Sequence, residues 1–127
     1  ANFLVAEKSS ERVGFAQIRP TSGTRGAAAA VLASLFVIPV ARGCGVGSNL
    51  VEGLLQRRRE RSEAKGPVYA LTLAPKERFF TKLGFRRIFT EEEKSVLPDS
   101  LALEASLGSV VAPLVAGEEL IILKYED

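Results

Sequence analysis

The chain has 127 residues, of which 46% are hydrophobic and 25% charged. That is enough to close one compact core, so a single domain over residues 1–127 is expected. Seventeen Lys and Arg oppose fifteen Asp and Glu, and a net charge of +2 is too small to argue for nucleic acid from bulk electrostatics. No segment supplies the roughly 20 apolar residues that a membrane span needs, and no basic region followed by an apolar block marks a secretory leader. The single cysteine, Cys44, has no internal disulfide partner. An intracellular protein is therefore expected, cytoplasmic by default, without membrane or nucleic-acid partners. The chain has no Met, His or Trp, so it need not begin at a natural initiator.

Strand and helix signals alternate along the chain. Phe3–Glu7 and Arg12–Arg19 are β-rich, and the KSSE step between them predicts a hairpin turn. Pro20 to Gly26 is punctuation. A third strand, about Val31 to Ile38, stops at Pro39, which lacks an N–H for a ladder. Gly43, Gly45 and Gly47 then alternate with Arg42, Cys44 and Val46 before a helix from about Ser48 to Arg61. Its Leu50, Val51, Leu54 and Leu55 share one face, with Arg57, Arg58 and Arg61 on the wet side. Gly66-Pro67 breaks the chain before the apolar strand Val68–Leu73. Pro75 opens a short helix that Gly84 closes, and Phe85–Phe89 reads as a further strand. A short helix, Asp99–Leu107, is expected within a mixed stretch from Thr90 to Gly117. Leu120–Tyr125 is the last strand.

Glycines directly before a stable helix have a physical use. A helix N-terminus leaves about four backbone N–H groups without internal partners, and the dipole adds partial positive charge there. A loop without Cβ atoms can curl several N–H groups toward one point, which suits phosphate. Two phosphate-loop patterns fail. The nucleotide-triphosphate loop needs Lys after the last glycine, where Ser48 stands, and the dinucleotide fingerprint needs a two-residue second gap.

The stretch LFVIPVARGCGVGS instead resembles the acyl-CoA loop of the GCN5-related N-acetyltransferase (GNAT) superfamily, with Arg42, Gly45 and Gly47 in the [RQ]-x-x-G-x-[GA] positions. A second block, ERFFTKLGF from Glu77 to Phe85, is similar to the family's short helix running into a Gly-Phe strand. The resemblance covers about Phe3 to Phe89. It implies an α/β (α+β) fold: a mixed, mostly antiparallel central sheet, splayed at its middle around acetyl-CoA and flanked by helices, with the family's N-terminal strand and helices missing. It further implies that the backbone of Leu35, Phe36 and Val37 bonds the pantetheine arm and polarises the thioester. The backbone N–H groups of Gly43, Cys44, Gly45, Val46, Gly47 and Ser48 would hold the pyrophosphate, with Arg42 in the same cofactor-binding loop, and Phe79 and Phe80 would flank the thiol end. Reaction in the family is direct attack of an amine on the thioester, with no metal.

The sequence departs from the family at the chemistry. Many members place Tyr where Phe80 stands, Asn at the position of Leu73, and a carboxylate near Ala33 or Ser34. With no His, a base would be a water chain ending on Glu7, Glu11 or the Glu91–Glu93 run. The segment LTLAPKERFFTKLGFRRI, with Glu91–Pro98 after it, is more narrowly similar to the acetyltransferase domain of N-acetylglutamate synthases, for which Arg19, Lys82 or Arg86 could hold an acceptor carboxylate. Blander readings stand beside these. The glycines could be only a tight turn, Cys44 a backbone-only loop position, and Arg57–Arg61 a solvated face rather than a contact to the 3′-phosphate. One of Phe79 and Phe80 should be core. Two functions follow: an N-acetyltransferase for a small-molecule or protein amine, or a non-catalytic acyl-CoA-binding module. A homodimer covering the first strands is a further expectation.

Overall fold

The computed structural model describes residues 3–22, 28–61, 66–90, 97 and 117–126. The elements run β1 (Phe3–Lys8), β2 (Glu11–Ser22), β3 (Ala28–Val37), α1 (Val46–Arg59), β4 (Val68–Leu73), α2 (Glu77–Lys82), β5 (Arg86–Arg87) and β6 (Leu120–Tyr125). The six strands form a sheet whose hydrogen-bonded order is β1-β2-β3-β4-β6-β5. The fold is mixed α+β, and its sheet is mostly antiparallel, with β3 and β4 pairing parallel. No helix among the described residues is long and apolar enough to cross a membrane.

The chain forms two compact units, one from the described residues of Ala1–Arg19 and Leu32–Lys65, the other from those of Pro20–Val31 and Gly66–Asp127. In the first, β1 and β2 pair antiparallel from Phe3↔Gln17 to Lys8↔Glu11, with a bulge between Ala6 and Glu7. The turn joining them places Ser9 and Ser10 at positive φ, 53° and 69°. Two left-handed residues match the right-handed twist of a hairpin, and this explains a two-residue turn without glycine. Helix α1 packs against β1. It buries Leu50, Val51, Leu54 and Leu55, a stripe at helical spacing in which each side chain contributes about 2 kcal/mol of burial. Arg57, Arg58 and Arg59 occupy its last turn, where cations oppose the dipole favourably.

In the second unit β4 pairs with β6 through six residue pairs, from Val68↔Tyr125 to Leu73↔Leu120. The parallel β3–β4 register is shorter among the described residues, joining Ala30 to Val68 and Val31 to Tyr69. Both sides of β4 are therefore occupied, in accord with its near-continuous apolar sequence. The core here gathers Ala29, Val31, Tyr69, Ile88, Leu97 and Ile122.

Several boundaries differ from the sequence reading. Helix α1 starts at Val46 and ends at Arg59, because Gly45 takes the N-cap position and draws the first turn forward. Strand β2 runs through Pro20 to Ser22, and β3 begins at Ala28 and ends at Val37. The expected strand Phe85–Phe89 is reduced to Arg86–Arg87, followed by one further bond from the Ile88 N–H to the Ile122 carbonyl at 2.9 Å. The expected helix Asp99–Leu107 lies outside the described residues.

Candidate functional site

In the first unit the end of β3 leads into the glycine loop and α1. Leu35 and Val37 are half-buried, whereas Phe36 is 44% exposed. The Phe36 ring lies 6.2 Å from Phe15, which in turn lies 5.9 Å from Phe3. The strand ends at Val37, and Pro39 opens a single 3-10 turn over Pro39–Ala41. Its neighbour Ile38 donates its N–H to the Val13 carbonyl at 2.9 Å. Arg42 then reaches back: its Nε donates to the Val37 carbonyl at 2.8 Å, and its guanidinium carbon lies 5.8 Å from the Phe36 ring centroid. Loop and strand end are thus joined by one side chain.

Gly43 and Gly45 have φ of 80° and 82°. A Cβ on either would meet no atom within 4 Å, so backbone conformation and not space selects glycine there. Gly47 lies inside α1 and has no positive φ, so the three evenly spaced glycines do two different jobs. Cys44 between them is exposed, its Sγ 3.9 Å from the Arg42 carbonyl. The helix N-cap, Gly45, brings no side-chain acceptor, and the first turn holds no acidic residue. The first rung is the Asn49 N–H to the Gly45 carbonyl at 3.0 Å. The N–H groups of Val46, Gly47 and Ser48 precede that rung and have no intrahelical acceptor. They sit at the positive end of a 14-residue helix beside two left-handed glycines.

In the second unit the Phe-x-x-x-Gly-Phe block resolves into a helix C-cap. The Phe85 N–H donates to the Phe80 carbonyl at 3.1 Å and the Gly84 N–H to the Thr81 carbonyl at 3.1 Å. That is a Schellman motif, with left-handed Gly84 (φ 100°) at its turn. The hydrophobic contact such a motif carries is Phe80 against Phe85, 5.4 Å between centroids at 74°. Phe79 meets Phe80 edge-on at 5.0 Å. Phe80 is 5% exposed and Phe79 half-buried, so Phe80 is the core member of the pair.

The other expected residues divide the same way. Glu7, Glu11 and Arg19 are exposed in the first unit, and Ala33 and Ser34 are half-buried there. Leu73 pairs with Leu120, and Lys82 and Arg86 are exposed, with Arg86 3.9 Å from Glu126. Glu91–Glu93 lie outside the described residues. No group of three or more His, Cys, Asp or Glu among the described residues is placed to hold a metal ion. Two features were not foreseen. Arg87 bridges Glu119 at 2.8 Å and Glu77 at 3.5 Å, a long-range network that spacing cannot announce. Gly14 lies against the Phe36 carbonyl, and the signal for it was present: a glycine inside a strand pattern marks close backbone approach.

The acetyltransferase (GNAT) domain family matches residues 1–87. No curated protein matches the chain by sequence. Among solved structures, Arabidopsis thaliana Naa50 in complex with a bisubstrate analogue, CoA-Ac-MVNAL, is similar at 17% identity and a TM-score of 0.66, covering 98% of this chain and 72% of its own. N-acetylglutamate synthase from Neisseria gonorrhoeae, complexed with coenzyme A and N-acetyl-glutamate, matches at 17% identity and a TM-score of 0.65. The match covers 99% of this chain but 26% of the synthase. A GCN5-related N-acetyltransferase from Kribbella flavida reaches 28% identity over 68% of this chain and 22% of its own, with a TM-score of 0.53. A strand ending at a proline turn, left-handed glycines before an uncapped helix, and a capped Phe-Gly-Phe helix are what a member of that family would present, and the chain belongs to the GNAT acetyltransferase family.

Proposed function

We propose that the chain is an acetyl-CoA-dependent N-acetyltransferase acting on a primary amine, a small molecule or a protein amino group. The observation that carries this reading is the joined strand end and loop. Open N–H groups of Val46 to Ser48 stand beside left-handed Gly43 and Gly45, and Arg42 ties that cup to Val37. In this reading the pyrophosphate of acetyl-CoA is held by the backbone N–H groups of Gly43–Ser48, the Arg42 N–H being donated to the Pro39 carbonyl at 3.2 Å, and Leu35–Val37 bond the pantetheine arm. Within the second unit Phe80 is committed to the core and Phe79 is half-buried. The neutral amine attacks the thioester carbon, a C–N bond forms, the C–S bond breaks, and CoA leaves as thiolate. The amine gives up its proton to water or to a carboxylate reached through water. Much of the rate then comes from holding amine and thioester in line, which is worth ~7–11 kcal/mol in well-oriented systems.

A second reading is favoured by one observation. Phe80 takes the place of the family's Tyr and is packed edge-on between Phe79 and Phe85, as expected of a binding module that has lost its chemistry. Calorimetric titration with acetyl-CoA, followed by thiol release over a panel of amines that includes glutamate and peptide N-termini, separates the two. Binding with turnover supports the enzyme, binding without turnover supports the module, and no binding by the folded chain overturns both.

A further inference from the structure

We infer that Gly14 is a positioning residue for the acyl-CoA site, holding the Leu35–Val37 segment of β3 in place by having no side chain. The inference rests on the acetyl-CoA reading above. A Cβ at Gly14 would stand 2.8 Å from the Phe36 carbonyl oxygen, 3.4 Å from the Val37 Cα and 3.3 Å from the Leu50 Cδ1. The closest of these is a backbone atom, and backbone cannot swing aside as the end of a side chain can. Gly14 is buried and does not have positive φ, so its backbone would accept alanine and the constraint is space alone. One residue away, the Val13 carbonyl takes the Ile38 N–H at 2.9 Å, which pins β3 just beyond the close approach. Across β2, Gly14 pairs with Ala6 where the β1 register shifts, and a bulge of this kind bends a strand locally. Seated against Phe36 in this way, β2 fixes where the peptide groups of residues 35–37 point. Gly53 of α1 is a natural contrast. Its Cβ would also meet an atom at 2.8 Å, but that atom is the Leu4 Cδ1 at the end of a flexible side chain.

Two ligands separate positioning from general support. Adenosine 3′-phosphate 5′-diphosphate carries the phosphates of CoA without the pantetheine arm and tests the loop alone, whereas acetyl-CoA tests loop and strand together. Calorimetry on Gly14→Ala should show acetyl-CoA weakened about tenfold, the equivalent of ~1.4 kcal/mol and of one lost backbone hydrogen bond. The nucleotide should bind as it does to the wild type, and Gly53→Ala should bind both ligands normally. Equal weakening of both ligands by Gly14→Ala, or of neither, overturns the inference. A wild-type chain that binds neither ligand overturns the acetyl-CoA reading itself. Should Gly14→Ala fail to fold, hydrogen exchange on the wild type decides: acetyl-CoA, but not the nucleotide, should slow the amides of residues 13–15, and equal or absent slowing overturns the inference.

Discussion

Gly45 allows shape and charge in the loop to be measured apart. It sits at φ 82° with no atom within 4 Å of where a Cβ would stand. Alanine there adds no clash and costs the left-handed backbone term, about 1–2 kcal/mol. Asparagine tolerates that region and should recover most of the loss. Glutamate carries the same backbone cost as alanine, plus a negative charge at the mouth of the helix. A carboxylate about 4 Å from a phosphate is opposed by ~1 kcal/mol in bulk water and ~4 kcal/mol at an effective dielectric of 20. The loop is exposed, so the lower part of that range applies, about 1.4–2.8 kcal/mol or ten- to hundredfold in affinity. Urea denaturation and acetyl-CoA calorimetry on Gly45→Ala, Gly45→Asn and Gly45→Glu read the two terms separately. Ala should have a urea midpoint below that of Asn, Glu should lie at or slightly above Ala because the helix dipole favours its carboxylate, and Glu should bind at least tenfold more weakly than Ala. Glu binding as tightly as Ala would refute the phosphate assignment, and Asn as destabilised as Ala would refute the strain argument.

Replacing Ser9 and Ser10, at φ 53° and 69°, by Asn and Gly should raise stability by about 1 kcal/mol, since that pair is the preferred filling of such a turn; an unchanged urea midpoint would count against the turn assignment. Leu123, 0% exposed, should cost about 2–5 kcal/mol as Leu123→Ala. Val40→Ala, at a residue 85% exposed, should stay within about 0.5 kcal/mol, and similar losses at both would contradict the burial pattern. Phe80→Tyr puts a hydroxyl into the cluster with Phe79 and Phe85 and should cost about 1–3 kcal/mol if it finds no partner. Thiol release should not rise; a tenfold gain would instead identify a site that had lost its acid.

Much of this fold was legible because the relevant signals are local. The α1 stripe Leu50, Val51, Leu54 and Leu55 repeats at helical spacing, and all four residues are buried. Strand β3 ends at Val37, just before Pro39 with its missing N–H, and Gly84 follows α2 because only a left-handed residue completes its cap. What the sequence hid depends on partners distant along the chain. Phe85, Ile88 and Phe89 favour a strand, yet only Arg86–Arg87 pair with β6, at Lys124 and Leu123. Within the loop, even spacing suggested one role for three glycines. The distinction between Gly45 and Gly47 is one of φ, which composition does not carry. The motif marks Arg42 as a loop position, and the structure adds that its Nε donates to the Val37 carbonyl. Only the orientation of β3 relative to the loop reveals that.

The missing phenol bears on mechanism through the leaving group. Position 80 packs against Phe85 to close the helix cap, so an aromatic ring is required there for structure whether or not it carries a hydroxyl. A thiol is far more acidic than an alcohol, so the thiolate leaves without needing a full proton. Donating a proton to it in the transition state therefore gains far less than donating one to an alkoxide would. Deprotonating the amine is the harder demand, and with no histidine in the chain no imidazole meets it. On the proposed acetyltransferase reading, an acceptor that supplies its own neutral amine, such as an α-amino group of pKa about 8, would react with the least help from the chain. A lysine side chain, with a pKa near 10.4, keeps almost all of its amine protonated at neutral pH. An α-amine should accordingly outpace an otherwise matched ε-amine in the thiol-release assay, and a reversed order would require a base that Glu7, Glu11 or the acidic run after Thr90 provides.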